Sequence, residues 1–304
     1  MVLFDVGQGV FGLGNGFELI LAAIGLLVLI VGSITDFRTH EVPDWISFSF
    51  IAAAIGARLV YSSVTGDWLV FGKGLLGFGI FFGIGCLMFY TGQWGGGDSK
   101  VLMGLGALFG VELSLTSGLL SFFVNSLILG AVYGLIFSVY LAATNWRAFG
   151  KQYLNLSKTR LVKMSQIASF VVAGVFLILL FITPQDFPKI ALFLLGLLLL
   201  FSVQLWVFTK SVESACMIKK VSPDKLTEGD WIVKDIKYQG KRITGPKDLG
   251  ISKAQIRKLV ALQKKGKMKS VTIKVGIPFV PAFLLGYIAT LLWGNLFLVL
   301  MYLV

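Results

Sequence analysis

Charged side chains are scarce in this chain. They make up only 14% of its 304 residues, and 56% of the residues are hydrophobic. Soluble domains carry about 25% charged residues. The low charge content therefore excludes an ordinary soluble domain and predicts a membrane protein.

Cysteine and histidine are nearly absent. The two cysteines, Cys86 and Cys216, have no metal-ligand spacing and form no disulfide framework, and His40 is the single histidine. We therefore expect neither a metal nor a cofactor. No basic residue precedes Arg38, whereas Asp5 and Glu18 are acidic, and this charge pattern argues against a cleavable secretory signal.

Eight hydrophobic stretches predict a polytopic α-helical membrane protein, since a bilayer span needs about 20 apolar residues. The fourth stretch is short and glycine-rich, so a half-helix is the alternative there. The predicted spans are about 18–35, 45–62, 68–90, 99–111, 118–144, 167–183, 189–210 and 278–303.

Lys and Arg indicate the orientation, because cytoplasmic loops are enriched in them. Loop 145–166 carries five Lys and Arg residues and no acidic residue. Segment 210–274 carries 17 Lys and Arg against 6 Asp and Glu. The connections near 63–67, 112–117 and 184–188 carry no Lys or Arg. We therefore predict a multi-pass cell-membrane protein with both basic segments in the cytoplasm and both termini outside. This topology and attraction to anionic lipids explain the basic surplus, so nucleic acid is not an expected partner.

The predicted organisation has four parts. These are a transmembrane core (1–144), a basic loop with two further spans (145–210), a basic cytoplasmic α+β domain (211–274) and a last span (275–304). Nothing in the α+β domain suggests catalysis. Its local signals are a strand through Trp231–Tyr238, a hairpin turn at Gly240, a helix capped by Ser252 and a strand through Val271–Val275.

Two aspartates are the candidate catalytic residues. Asp36 follows an apolar run, and Asp98 follows Gly95, Gly96 and Gly97; both lie at predicted cytoplasmic span ends. A carboxylate near hydrocarbon is costly and is by default a functional hypothesis. Taken separately, each could be a helix cap or a solvated interfacial charge. Two together on one face indicate an aspartyl pair that shares a proton.

Small residues on the following spans favour close helix packing. Gly79 and Gly83 are spaced four apart, as are Gly106 and Gly110. Such spacing lets transmembrane helices approach closely, which predicts that the two aspartate loops come together.

The motifs around these aspartates resemble those of a known family. Gly95-Gly96-Gly97-Asp98-Ser99-Lys100 is similar to the GxGD-x-K signature of type IV prepilin and archaeal preflagellin (prearchaellin) peptidases. Asp36 with Val42-Pro43-Asp44 resembles the first aspartate of that family and its Ile/Val-Pro-Asn/Asp element. The resemblance covers about residues 18–144. Segments 227–230 and 276–281 also look similar to C-terminal parts of archaeal members.

Departures from the pattern of the bacterial members and of the presenilin-like peptidases indicate which type of peptidase the chain resembles. The chain has no CxxC motif, which accompanies N-methyltransferase activity in bacterial members, so a protease-only, archaeal type is implied. Presenilin-like peptidases also use GxGD but place their first aspartate in a Tyr-Asp pair, whereas Thr35 precedes Asp36 here. They remain an alternative.

The resemblance implies an aspartyl endopeptidase at the cytoplasmic membrane face, acting on pilin-like or archaellin-like precursors of archaeal type IV filaments. Such precursors carry a short basic leader before a hydrophobic helix. We further expect Glu41 and Asp44 to position the leader, because they offer negative charge beside Asp36. Lys100 is assigned either to pairing with a carboxylate or to the interface, and His40 to a loop.

Two other function classes stay open from the residues alone. One is an ion or proton-coupled transporter that uses both aspartates, although no internal repeat is evident. The other is a membrane scaffold whose activity resides in the basic domain.

Overall fold

The computed structural model describes residues 16–183 and 189–303. Predictions about the N-terminal segment before residue 16 and about the 184–188 connection lie outside these residues. Membrane-type helices dominate the described chain, as the composition predicts. They are α1 (Gly16–Thr39), α2 (Asp44–Thr65), α3 (Trp68–Tyr90), α4 (Gly96–Phe109), α5 (Gly118–Thr144), α6 (Trp146–Ser157), α7 (Arg160–Ile182), α8 (Lys189–Cys216), α10 (Val280–Trp293) and α11 (Leu296–Leu303).

Six of these helices, α1, α2, α3, α5, α7 and α8, are long and apolar enough to cross a membrane. Helices α10 and α11 satisfy the same criteria as a pair bent by 53°. The polytopic helical fold is therefore confirmed, with up to seven spans in the described part of the chain instead of the eight predicted. The bend is tied to α5, where the Asn125 amide donates to the Gly294 carbonyl (2.7 Å) and accepts from the Leu296 N–H (2.9 Å). These bonds satisfy backbone groups that the break leaves free.

The fourth predicted span corresponds to α4, which is a short, buried helix. Its 14 residues extend about 21 Å, less than the thickness of a bilayer core. At its far end the buried Arg58 donates to the carbonyls of Ala107 (2.8 Å) and Leu108 (2.7 Å). A cation at a helix C-terminus complements the helix dipole there. Helix α4 is thus the centre of the core, as the half-helix alternative suggested.

Close packing of α3 on α4 depends on glycine, although partly on different glycines from those predicted. Backbone at Gly77 and Gly106 approaches so closely that neither position has room for a Cβ atom. By contrast, a Cβ at Gly79 or Gly83 would meet nothing within 4 Å. The prediction was correct for Gly106 and wrong for the Gly79 and Gly83 pair, because the face of α3 that packs on α4 carries Gly77 instead.

The insert folds as an α+β domain with its own apolar core. An antiparallel sheet has the order β1 (Ile218–Val221), β5 (Val271–Lys274), β2 (Trp231–Ile232), and β3 (Ile236–Tyr238) pairs with β4 (Lys241–Thr244). Helix α9 (Lys253–Lys264) is capped by Ser252, as predicted, and Gln255 completes a capping box with it.

Some local features of this region agree with the sequence prediction and others differ from it. The β3–β4 turn uses Gln239 (φ 49°) and Gly240 (φ 77°), as a tight hairpin requires. The predicted Trp231–Tyr238 strand is divided into β2 and β3, and α8 continues to Cys216, beyond the predicted boundary at 211. The amphipathic helix α6 was not predicted within the basic loop.

Candidate active site

Asp36 lies in the last turn of α1 and is 4% exposed. Its Oδ2 accepts a hydrogen bond from the Val280 backbone N–H at 3.0 Å. This donor belongs to the start of α10, where the first N–H groups have no acceptor within the helix. A buried carboxylate is thereby provided with a donor from a distant part of the chain.

Asp98 is held by its own loop at the start of α4. Its Oδ2 accepts the Gly95 N–H at 3.1 Å, in the reciprocal pattern of a capping box. The neighbouring Gly97 packs against the α1–α2 connection: a Cβ there would lie 3.1 Å from the Val42 nitrogen and 3.2 Å from the Val42 Cβ. The glycines therefore let this loop approach the first aspartate motif.

The two aspartates are close enough for a direct electrostatic interaction. Like charges at short range favour the sharing of one proton, since ionising both carboxyls is costly. Such a pair titrates as a unit. Two carboxyls related in this way are the residue types that an acid–base dyad requires.

A salt bridge joins the two motifs. Lys100 Nζ on α4 lies 2.5 Å from Asp44 Oδ1 at the start of α2, and 5.1 Å from the centre of the Phe48 ring. Of the two possibilities for Lys100, the structure thus shows pairing with a carboxylate. Asp44 shares its charge with Lys100, which leaves Glu41 as the acidic side chain less committed to a basic partner.

Glu41 lies on the α1–α2 connection, facing the insert. Partial burial raises the pKa of its carboxyl, a hydrogen bond with Thr227 opposes that rise, and the charges of Asp230, Glu228 and Asp44 add to it. An acidic group thus forms where the connection meets the insert. Partial burial also lowers the pKa of the adjacent His40, and the charge of Lys219 adds to this effect.

Three contacts near the site were not predicted. The start of α10 binds Asp36; segment 276–281 had been noted only for its likeness to archaeal sequences. Trp231 of the insert packs over Gly92, where a Cβ would lie 2.8 Å from the indole ring. Tyr133 on α5 interacts electrostatically with Asp36, and its buried hydroxyl has no hydrogen-bond partner among the described residues. No sequence signal identified Tyr133, because an aromatic residue in a span is ordinarily packing.

Metal chemistry finds no support in the described ranges. Across 16–183 and 189–303, no three His, Cys, Asp or Glu side chains are grouped so that they could hold an ion.

Comparison with known proteins shows that part of the core is similar to peptidases. Residues 23–135 match the sequence model of the type IV leader peptidase family. The chain is 44% identical over 86 residues to the preflagellin peptidase of Methanococcus maripaludis, and this aligned segment covers 28% of this chain and 36% of the relative. It is 40% identical over 92 residues to that of Methanococcus voltae, covering 30% and 38%. No solved structure matches the chain significantly.

The resemblance is therefore confirmed for the segment that carries both aspartates. The chain spans just over a third of the length of the curated relatives it matches.

Proposed function

We propose that the chain is a membrane-embedded aspartyl endopeptidase that removes short basic leaders from pilin-like or archaellin-like precursors at the cytoplasmic membrane face. The observation that supports this most directly is the close contact between the two aspartate motifs: a Cβ at Gly97, next to Asp98, would lie 3.1 Å from the nitrogen of Val42 on the connection that follows Asp36. The family match over 23–135 includes both aspartates.

The reaction needs one carboxylate and one carboxyl. The ionised aspartate takes a proton from water as the water oxygen attacks the scissile carbonyl carbon, and the protonated aspartate gives its proton to the carbonyl oxygen. When the tetrahedral intermediate collapses, the carbon–nitrogen bond breaks, the amine receives a proton and the dyad returns to its starting state. The low-dielectric surroundings of a buried site strengthen the interactions of the two aspartates with the attacking water and with the carbonyl oxygen.

Glu41 is the residue that we propose to receive the basic leader. It lies near Asp36 in sequence and near Thr227, Glu228 and Asp230 of the insert in space. A positive leader approaching the net-positive insert would meet Glu228 and Asp230 at this place, although Glu228 also pairs with Lys253. Electrostatic contacts of this kind act mainly on association and specificity.

The test of the dyad is cleavage by purified variants. Asp36→Asn and Asp98→Asn should each lower kcat at least about a thousandfold, because each removes one half of the acid–base pair. The substrate is a precursor pilin with a basic leader, in membranes or detergent.

Asp67→Asn is the matched control, since Asp67 caps α3 at the opposite end of the core. It should retain activity near that of the wild type. Cleavage that survives either Asp36→Asn or Asp98→Asn, in folded protein, would show that the pair is not the catalytic dyad.

A further inference from the structure

The start of α10 contacts Asp36 directly and the loop of Asp98 through Trp94. Val280 is fully buried, and its N–H donates to Asp36 at 3.0 Å. Its side chain packs on α1, where a Cβ at Gly32 would lie 3.3 Å from Val280 Cγ1. The backbone of α10 is therefore fixed against the turn that carries Asp36.

The residue before it contacts the second motif. The Phe279 ring lies 5.4 Å from the Trp94 ring, and Trp94 immediately precedes Gly95, whose N–H binds Asp98. Phe283, one turn along α10, packs edge-on against both Trp94 (5.4 Å) and Phe279 (5.2 Å). The position of α10 is thus linked to the positions of both aspartates.

Both carboxyls accept an N–H group at a helix start, but the donors come from different parts of the chain. The first N–H groups of a helix lack intrahelical acceptors and lie at the positive end of the helix dipole, so they bind a carboxylate well. Asp98 lies in the first turn of α4 and receives the N–H of Gly95, the N-cap residue of its own helix. Asp36 receives such a donor from a separate helix, through the N–H of Val280.

We propose that the backbone N–H of Val280 is a positioning group for the dyad. Across the contact between α1 and α10, it holds the Asp36 carboxyl in the geometry in which that carboxyl exchanges protons with water and substrate. This inference rests on the proposed peptidase function and makes α10, outside the matched 23–135 segment, part of the active site.

The test uses variants that lack the backbone N–H of residue 280. Val280→Pro deletes the donor at the first position of α10, where helices accept proline. We expect kcat to fall about ten- to hundredfold with KM within about twofold, as for loss of a hydrogen bond to a charged group. Val280→Ala keeps the N–H and trims the side chain that packs on α1, so its kcat should fall by a smaller factor than that of Val280→Pro.

A backbone ester at position 280 covers the case in which Val280→Pro fails to fold, because proline restrains the preceding residue. The ester replaces the N–H by oxygen and keeps the side chain, and it should give the same loss of kcat. Wild-type kcat in the ester variant, or an equal loss in Val280→Ala, would overturn the proposed role while leaving the peptidase function intact. Failure of the wild type to cleave any leader would instead refute the peptidase function.

Discussion

The two candidate catalytic aspartates are held in different ways. Asp98 is bonded by a residue three positions away, within a loop built by consecutive glycines. Asp36 is bonded by a residue 244 positions away, on a helix that follows the whole insert domain. One half of the site is therefore local and the other half is a product of the tertiary fold. Changes to the glycine loop should therefore alter the position of Asp98 first. Changes to α10 should alter the position of Asp36, because its hydrogen bond depends on helix packing.

The largest effect that would sharpen this comparison concerns the glycine loop. Gly97→Ala places a Cβ 3.1 Å from the Val42 nitrogen, so the loop must shift by a few tenths of an ångström. We expect kcat to fall about tenfold, because small misplacements of catalytic groups are costly. The measurement is the steady-state rate of leader cleavage.

Gly96→Ala is the matched control for that loop. A Cβ at Gly96 meets Phe89 at 3.7 Å, an ordinary contact. Both substitutions raise helix propensity to the same degree, so a difference between them reports the contact with Val42. Equal activity of the two variants would show that the close approach is unimportant for catalysis.

A smaller effect is expected from the bridge between the motifs. Lys100→Met breaks the 2.5 Å pair with Asp44 but keeps an apolar chain near Phe48. Because exposed ion pairs contribute about 0.2–1 kcal/mol, we expect a loss of two- to fivefold in kcat/KM. Asp44→Asn should give a similar loss, and the double variant should lose no more than either single one. Additive losses would show that the residues act separately.

The smallest effect concerns the proposed leader contact. Because the pKa of Glu41 is raised, this carboxyl becomes neutral at a higher pH than an ordinary glutamate as the pH falls. Its attraction for a basic leader is thus present at neutral pH and is lost on acidification. We expect KM for a basic-leader substrate to rise a few-fold as the pH is lowered, with little change for a neutral leader.

Glu41→Gln isolates that effect from the titration of the dyad. It should raise KM for the basic leader at neutral pH and remove the difference in pH dependence between the two substrates. An unchanged preference for the basic leader in Glu41→Gln would exclude Glu41 as its contact.

Sequence patterns were most informative where the cause of a structure is local. Ser252 is the predicted helix cap, Gly240 lies in the predicted hairpin turn, and the apolar runs are helices. Helix α6 was not predicted because polar and basic residues are mixed with its apolar ones, so that the segment has the composition of a basic loop. Span counting placed 99–111 in the membrane like its neighbours, although α4 has the length of a half-helix.

The amino-acid sequence by itself determined the helical membrane fold, the insert and the two aspartate motifs, because periodicity, charge and glycine patterns act over a few residues. The tertiary structure decided which groups complete the site: the N–H of Val280 on Asp36, the Lys100–Asp44 pair and the contact of Trp231 with Gly92. A backbone N–H belongs to every residue except proline, so no sequence pattern marks the one that binds a carboxylate. Only the packing of α10 against α1 selects it.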